Sequence, residues 1–121
     1  MTDQQVTPQQ TVRTLTRAAD YIEAHGWRQG SMRGPDGAVC ALGAIRAVSP
    51  TGPSGQTAPE ERAARAALAE YLELRPDPGD PSPLAAHPSS LVTAWNDRAE
   101  NAAQVVTAMR HTAKHLTGGA Q

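Results

Sequence analysis

The chain has 121 residues, a formal net charge of −1 and 3% aromatic residues, with no phenylalanine. Its length suits one domain that buries about two thirds of the surface of the unfolded chain. Basic residues are not in excess, as they are in proteins that bind nucleic acid nonspecifically. The single cysteine cannot form an internal disulfide, and no apolar run is long enough to cross a membrane. We therefore expect a cytoplasmic protein with neither nucleic acid nor membrane as its partner.

The first predicted helix begins at Pro8 and stops at Gly26. Thr7 and Gln10 have the spacing of a capping box, and Pro8 suits the first helical position. The residues that follow recur three and four apart on one apolar face, and these are Val12, Leu15, Ala19 and Ile22. Glycine after such a face is a common helix stop.

A second helix is predicted over residues 38–48, which are apolar nearly all round and are therefore expected to be buried. The alternative for residues 38–42 is a short buried strand. Asp36 and Gly37 offer a turn or a cap before this segment. Gly43 costs about 1 kcal/mol relative to alanine inside a helix, which indicates a close contact with a neighbouring element.

Two segments rich in proline and glycine, about 49–57 and 76–88, are predicted loops with mobile tips, like both termini. Between them, Thr57 and Glu60 have the spacing of a capping box. This pattern predicts a third helix that ends before Pro76.

In the last third of the chain, a short helix is predicted from residue 89 or 90 to Trp95. Asn101 and Gln104 then have the spacing of a capping box, which predicts a final helix that ends at residues 118–119. Asn96 and Asp97 are therefore expected in the connection between the two helices. The whole chain, 1–121, is predicted to be all-α, a single small irregular bundle of four to five helices, ordered from about residue 8 to 117.

Three short motifs carry a family resemblance, Gly26-Trp27-x-Gln29-Gly30, Cys40-x-Leu42-Gly43-Ala44 and Trp95-Asn96-Asp97. With them, residues from about 10 to 116 resemble an uncharacterised family of small proteins from actinobacteria and their phages, a domain of unknown function. The resemblance implies no activity, cofactor or partner, and it places no catalytic role on the motif residues.

Cys40 is the candidate nucleophile. A cysteine after a glycine turn at a helix start can have a lowered pKa, and His25 or His87 would have to serve as its base. Asn96 or Asp97 could then orient that histidine. The favoured interpretation is a small buried hydrophobic residue, which is the usual role of a lone cysteine in an apolar run.

The tryptophans and their polar neighbours suggest a binding surface, with the candidate residues Trp27, Gln29, Arg33, Trp95, Asn96 and Asp97. The alternative interpretation makes Trp95 an anchor of the core and the two residues after it an Asx-type turn. Asp97 could also form an ion pair with Arg28 or Arg33.

No metal site and no cofactor are expected. His111 and His115 have a helical spacing that suits a metal, but no third ligand accompanies them, so both are interpreted as solvated. Acidic and basic residues over 60–73, Glu61 among them, are interpreted as an exposed mixed-charge face.

Three functional hypotheses follow. The first is a non-catalytic binding or regulatory module that takes a protein partner or a small-molecule ligand near Trp27 and Trp95. The second is a small thiol-dependent enzyme that uses Cys40. The third is that the motifs are purely architectural and that function lies on the variable loops.

Overall fold

The structure, a computed structural model, describes residues 6–49 and 58–118. Within these ranges the secondary structure consists of five helices and no strand, which confirms the all-α prediction. The helices are α1 (Pro8–His25), α2 (Ala41–Val48), α3 (Pro59–Tyr71), α4 (Pro88–Arg98) and α5 (Ala102–Leu116). Helix α1 packs against α5, α2 and α3, whereas α4 packs chiefly against α3 and α2.

Helix α1 forms as its local sequence predicts. Thr7 and Gln10 make both bonds of the capping box, and Gly26 ends the helix with a φ of 101°. That φ lies in the region that glycine tolerates best. The buried face of α1 contacts the other helices through mostly small or aliphatic side chains, and the largest fully buried apolar side chains of the whole core are Leu15, Ile22, Ile45, Leu68 and Met109.

Helix α2 is shorter than predicted, because residues 38–40 are not helical and Cys40 has an extended backbone. Val39 donates its N–H to the carbonyl of Gly26, and its own carbonyl accepts the N–H of Arg28, both over 3.0 Å. This pairing with the chain after α1 provides hydrogen-bond partners for the backbone N–H and carbonyl of Val39, which a helix would otherwise provide. The result is an isolated β-bridge between Trp27 and Val39, so the strand alternative was right about the backbone conformation at this one residue.

The cap of α2 is Cys40, and neither Asp36 nor Gly37 occupies that position. The Cys40 sulfur accepts the N–H of Gly43 over 3.4 Å. Asp36 instead closes the turn before the helix, where its carboxylate accepts the N–H of Ala38.

Helix α3 begins after Ala58, which occupies the N-cap position without a side-chain hydrogen bond. Thr57, the predicted cap, lies outside the described residues, as do residues 50–56 of the predicted loop. The helix ends at Tyr71, before Pro76 as predicted. None of the helices in the described ranges is both long and apolar enough to cross a membrane.

Helix α4 is longer than predicted, and the placement of Asn96 and Asp97 in a connection is wrong. Both residues lie in the last turn of α4, which continues to Arg98. Helix α5 is capped by Asn101, whose side chain accepts the N–H of Gln104 over 2.9 Å as predicted. The second bond of the predicted capping box is replaced, because the Gln104 side chain accepts the N–H of Glu100 and not that of Asn101.

Candidate functional site

The motif segments meet at Asn96, whose side chain is fully buried. Its Oδ1 accepts the indole N–H of Trp27 over 2.7 Å and the backbone N–H of Ala41 over 3.0 Å. Its Nδ2 donates to the carbonyl of Arg28 over 3.1 Å. One amide therefore joins α4 to the segment after α1 and to the first turn of α2.

An amide suits this position because it accepts and donates at the same time. Ala41 is the first residue of α2, so its N–H has no partner inside the helix. Asn96 supplies that partner from another helix, and the Cys40 sulfur supplies one for Gly43. The buried start of α2 is thus satisfied by side chains from two parts of the chain.

Gln29 provides hydrogen bonds to the C-terminal end of α4. Its Nε2 donates to the carbonyls of Asn96, Asp97 and Ala99 at 3.1, 2.9 and 3.0 Å. These carbonyls lie at the C-terminal end of α4, where a helix leaves carbonyl groups without partners. The Asn96 carbonyl also accepts the N–H of Ala99 over 3.2 Å. Gln29 therefore caps α4 from the segment that follows α1.

Asp97 completes the connection, although not through the expected ion pair. Its Oδ1 accepts the backbone N–H of Gly30 over 2.9 Å, and Gly30 has a φ of 89° that favours glycine. Neither Arg28 nor Arg33 forms an ion pair with Asp97 in the part of the chain that the structure describes. We call these contacts of Trp27, Gln29, Asn96 and Asp97 the motif network.

Gln29→Ala tests the contribution of the cap to stability. It removes the side-chain donor shared by three carbonyls, of which that of Asn96 keeps the N–H of Ala99. We expect the free energy of unfolding to fall by about 1–2 kcal/mol. Gln9→Ala, at an exposed position of α1, should change it by no more than about 0.5 kcal/mol. Urea denaturation of both variants measures the difference, and equal losses would show that the Gln29 contacts do not stabilise the fold.

The two tryptophans are both half-buried, but their polar atoms differ. The Trp27 indole N–H is held by Asn96, whereas the Trp95 indole makes no hydrogen bond within residues 6–49 and 58–118, and solvent reaches its nitrogen. Arg33 is exposed and likewise has neither an ion pair nor a side-chain hydrogen bond in those ranges. Of the six predicted binding residues, four therefore belong to the motif network, and Trp95 and Arg33 have polar groups available for other contacts.

The groups proposed for a thiol enzyme are not joined to one another. Cys40 is 4% exposed, and none of the hydrogen bonds among the described residues links its sulfur to a histidine. His25 is exposed, with its ring 4.2 Å from that of Tyr21. His87 is also exposed, and its Nδ1 caps α4. An accessible sulfur bonded to a base, the geometry that a thiol nucleophile requires, is therefore not found in this part of the chain.

His111 and His115 are both exposed on α5, and the His115 ring lies 5.0 Å from that of Tyr71. Within the described ranges, no three side chains of the types that bind metals come together.

Glu61 is not part of an exposed face, and that interpretation was wrong. Its side chain is only 1% exposed, and its Oε2 lies 3.4 Å from both Arg46 Nε and Arg65 NH1. The other oxygen, Oε1, has no hydrogen-bond partner among the described residues. The sequence contained an indication of this burial, because Glu61 lies three residues before Ala64 and seven before Leu68, on the apolar face of α3.

Beside this carboxylate, a groove of about 290 Å³ runs along α2. Its described lining consists of Met32, Arg33, Gly43, Arg46 and Ala47. A Cβ at position 43 would overlap the carbonyl oxygen of Met32, so glycine allows the 32–33 segment to lie directly on the helix. This is the close contact that the sequence predicted for Gly43.

A family model, described as a family of unknown function (DUF6197), matches residues 6–115. No curated protein and no solved structure matches the chain.

Proposed function

The chain belongs to DUF6197, a family of unknown function, and we propose that it is a non-catalytic binding module that docks a protein partner on α4. The docking surface, here called the α4 surface, consists of Leu91, Ala94 and Trp95. The observation that carries the proposal is the contrast between two neighbours. Trp95 is half-buried, and its indole makes no hydrogen bond to any residue that the structure describes, whereas Asn96 is fully buried and bonded.

Trp95 has the properties of an interface anchor. An indole combines a large apolar area with a polar N–H, and tryptophan is enriched among residues that dominate binding energy. Leu91 lies one turn before Trp95 and is also half-buried, and Ala94 is exposed between them. Val92 and Asn96 form the buried side of α4. Leu91 and Trp95 pack against the core with part of their side chains and leave the rest at the surface.

The motif network supports the same proposal by restricting the motion of α4. Gln29 caps the end of the helix, and Asn96 ties its last turn to two other segments. A side chain on such a fixed backbone loses less conformational entropy when it binds. In this proposal, the motif network positions α4, and the adjacent α4 surface contacts the protein partner.

A protein suits this surface better than a small molecule does. The groove beside it is shallow and open, with a volume of about 420 Å³, and is lined by Ser89, Ser90, Thr93, Ala94 and Asp97. Small-molecule sites usually enclose most of their ligand, whereas protein interfaces are flatter, with a polar rim around a buried centre.

Ala94→Arg tests the proposal without removing a core side chain. It places a bulky charge on the α4 surface, and Ala66→Arg places the same charge on an exposed position of α3 as the matched control. We expect a protein from extracts of the native organism to be retained by immobilised wild-type chain and by Ala66→Arg, and to be lost with Ala94→Arg. That protein, once purified, should bind the wild-type chain directly and at least about tenfold less tightly to Ala94→Arg.

Equal binding of the two arginine variants would refute the docking surface. Thermal melting of both variants should differ from wild type by only a few degrees, since exposed substitutions usually change stability by about 0.5 kcal/mol or less. A Trp95→Phe variant that binds as tightly as wild type, with Ala94→Arg also unimpaired, would contradict the assignment of Trp95 as the anchor.

A further inference from the structure

The groove along α2 offers a second site, independent of the α4 surface. We propose that it binds a small molecule carrying a phosphate monoester, through the guanidinium groups of Arg33 and Arg46. The motif network and the thiol of Cys40 make no contact with the ligand in this proposal.

Arg46 forms an ion pair with a buried carboxylate. Its Nε lies 3.4 Å from Oε2 of Glu61, which is itself 1% exposed and also contacts Arg65. The Arg46 side chain is nevertheless 47% exposed, and its two terminal nitrogens make no hydrogen bond in the described ranges. A guanidinium paired along one edge in this way has its remaining N–H groups free in a planar fork, which suits phosphate oxygens.

Arg33 borders the same groove from a backbone that is also fixed. The carbonyl of Met32, the preceding residue, accepts the N–H of Cys40 over 3.2 Å and lies against Gly43. Arg33 itself forms a β-bridge with Val39. Because both arginines project from restrained backbone, a ligand that joins them needs to order only the side chains.

The charges at this groove are unbalanced. The described lining contains two positive charges, those of Arg33 and Arg46, and the nearby Glu61 carboxylate is shared between Arg46 and Arg65. No acidic side chain is present in the described lining of the groove. A phosphate monoester carries close to two negative charges above neutral pH, so it would compensate this excess.

The remaining lining favours an ester over free phosphate. Met32 and Ala47 provide apolar surface beside the two cations. A volume of about 290 Å³ has room for a phosphate group and a few carbon atoms. The ligand class is therefore a compact phosphorylated metabolite and not a long polyanion.

Calorimetric titration of the full chain with glycerol phosphate and with inorganic phosphate, at about pH 8 and constant ionic strength, tests the site. We expect saturable binding of one glycerol phosphate per chain, tighter than inorganic phosphate. Arg33→Ala should weaken the binding of glycerol phosphate by about tenfold or more, since the substitution removes a charged hydrogen-bond donor to the phosphate group. Arg13→Ala, an exposed arginine on α1, is the matched control and should leave the affinity unchanged.

Arg46→Ala should also weaken binding, but it disturbs Glu61 and can impair folding. Ala47→Glu avoids this difficulty, because it adds a carboxylate to the groove from an exposed helical position and should weaken binding by about tenfold or more. The proposal fails if the wild-type chain shows no saturable binding of glycerol phosphate. It also fails if Arg13→Ala and Arg33→Ala lose affinity for this ester equally, or if inorganic phosphate binds and the ester does not. Ala94→Arg should leave phosphate binding unchanged, so failure of this site and failure of the α4 surface are distinguishable.

Discussion

Asn96→Ala is expected to lower the free energy of unfolding by about 3–5 kcal/mol, the largest effect of any single substitution proposed here. It removes the acceptor of the Trp27 indole and of the Ala41 N–H, and the donor of the Arg28 carbonyl. Each group left without a partner in the interior costs roughly 1–3 kcal/mol. Domains of this size are stable by only about 5–15 kcal/mol, so the variant should melt well below wild type or fail to fold.

Asn101→Ala is the matched control for this substitution. Asn101 also uses its Oδ1 to accept a backbone N–H, but it lies at the exposed start of α5. The loss of such a cap usually costs about 1 kcal/mol. If thermal or urea denaturation shows equal losses for Asn96→Ala and Asn101→Ala, the buried amide does not hold the three segments together.

Asn96→Asp separates the acceptor from the donor of the amide. The carboxylate can still accept from Trp27 and Ala41, but it places a second oxygen against the carbonyl of Arg28. Burial and this missing donor would raise the pKa of the new carboxyl above its value in the unfolded chain. Relative to wild type, the variant should therefore lose stability as pH rises through that raised pKa and regain it on acidification. A deficit that is constant over pH would contradict this assignment of Nδ2.

Gly43→Ala is expected to have the second largest effect, a loss of about 2–3 kcal/mol. Alanine is favoured over glycine inside a helix by about 1 kcal/mol, so helix propensity alone predicts the opposite sign. The added Cβ would overlap the carbonyl oxygen of Met32, and backbone on both sides leaves little freedom to move apart. The 32–33 segment should separate from α2, and the buried thiol of Cys40 should then react faster with a thiol reagent.

Gly79→Ala provides the control for this effect. A Cβ at position 79 would meet only the Asp77 carboxylate, at 3.6 Å, which is an ordinary contact. We expect its stability to change by no more than about 0.5 kcal/mol and its Cys40 reactivity to match wild type. A stable Gly43→Ala variant with an unreactive thiol would show that the segment does not need this close approach.

Local signals in the sequence were sufficient for α1 and for the start of α5. Thr7 and Gln10 make both predicted bonds of their capping box, Asn101 caps α5, and Gly26 ends α1 with a positive φ. These features arise from contacts between residues three or four apart, so a short stretch of sequence is enough to predict them. The close contact at Gly43 was also predictable, because glycine inside a helix needs a compensating reason.

The end of α4 and the start of α2 could not be predicted in the same way. Asn and Asp before a helix usually bond to their own backbone, and this tendency placed Asn96 and Asp97 in a turn. Asn96 instead bonds to Trp27, 69 residues away along the chain. Likewise, the apolar residues 38–40 fit a helix or a strand equally well, and pairing of Val39 with the chain after α1 decided the matter.

The all-α class, most helix limits and the two segments in which polar and aromatic residues concentrate were all predictable from the sequence. The inward direction of the polar atoms of Gln29, Asn96 and Asp97 depends on packing, as does the availability of those of Trp95 and Arg33 for other contacts. The burial of Glu61 between two arginines also depends on packing. The difference arises because periodicity and caps form within one turn of a helix, whereas the partner of a buried polar group comes from a distant segment whose position depends on the packing of the whole bundle.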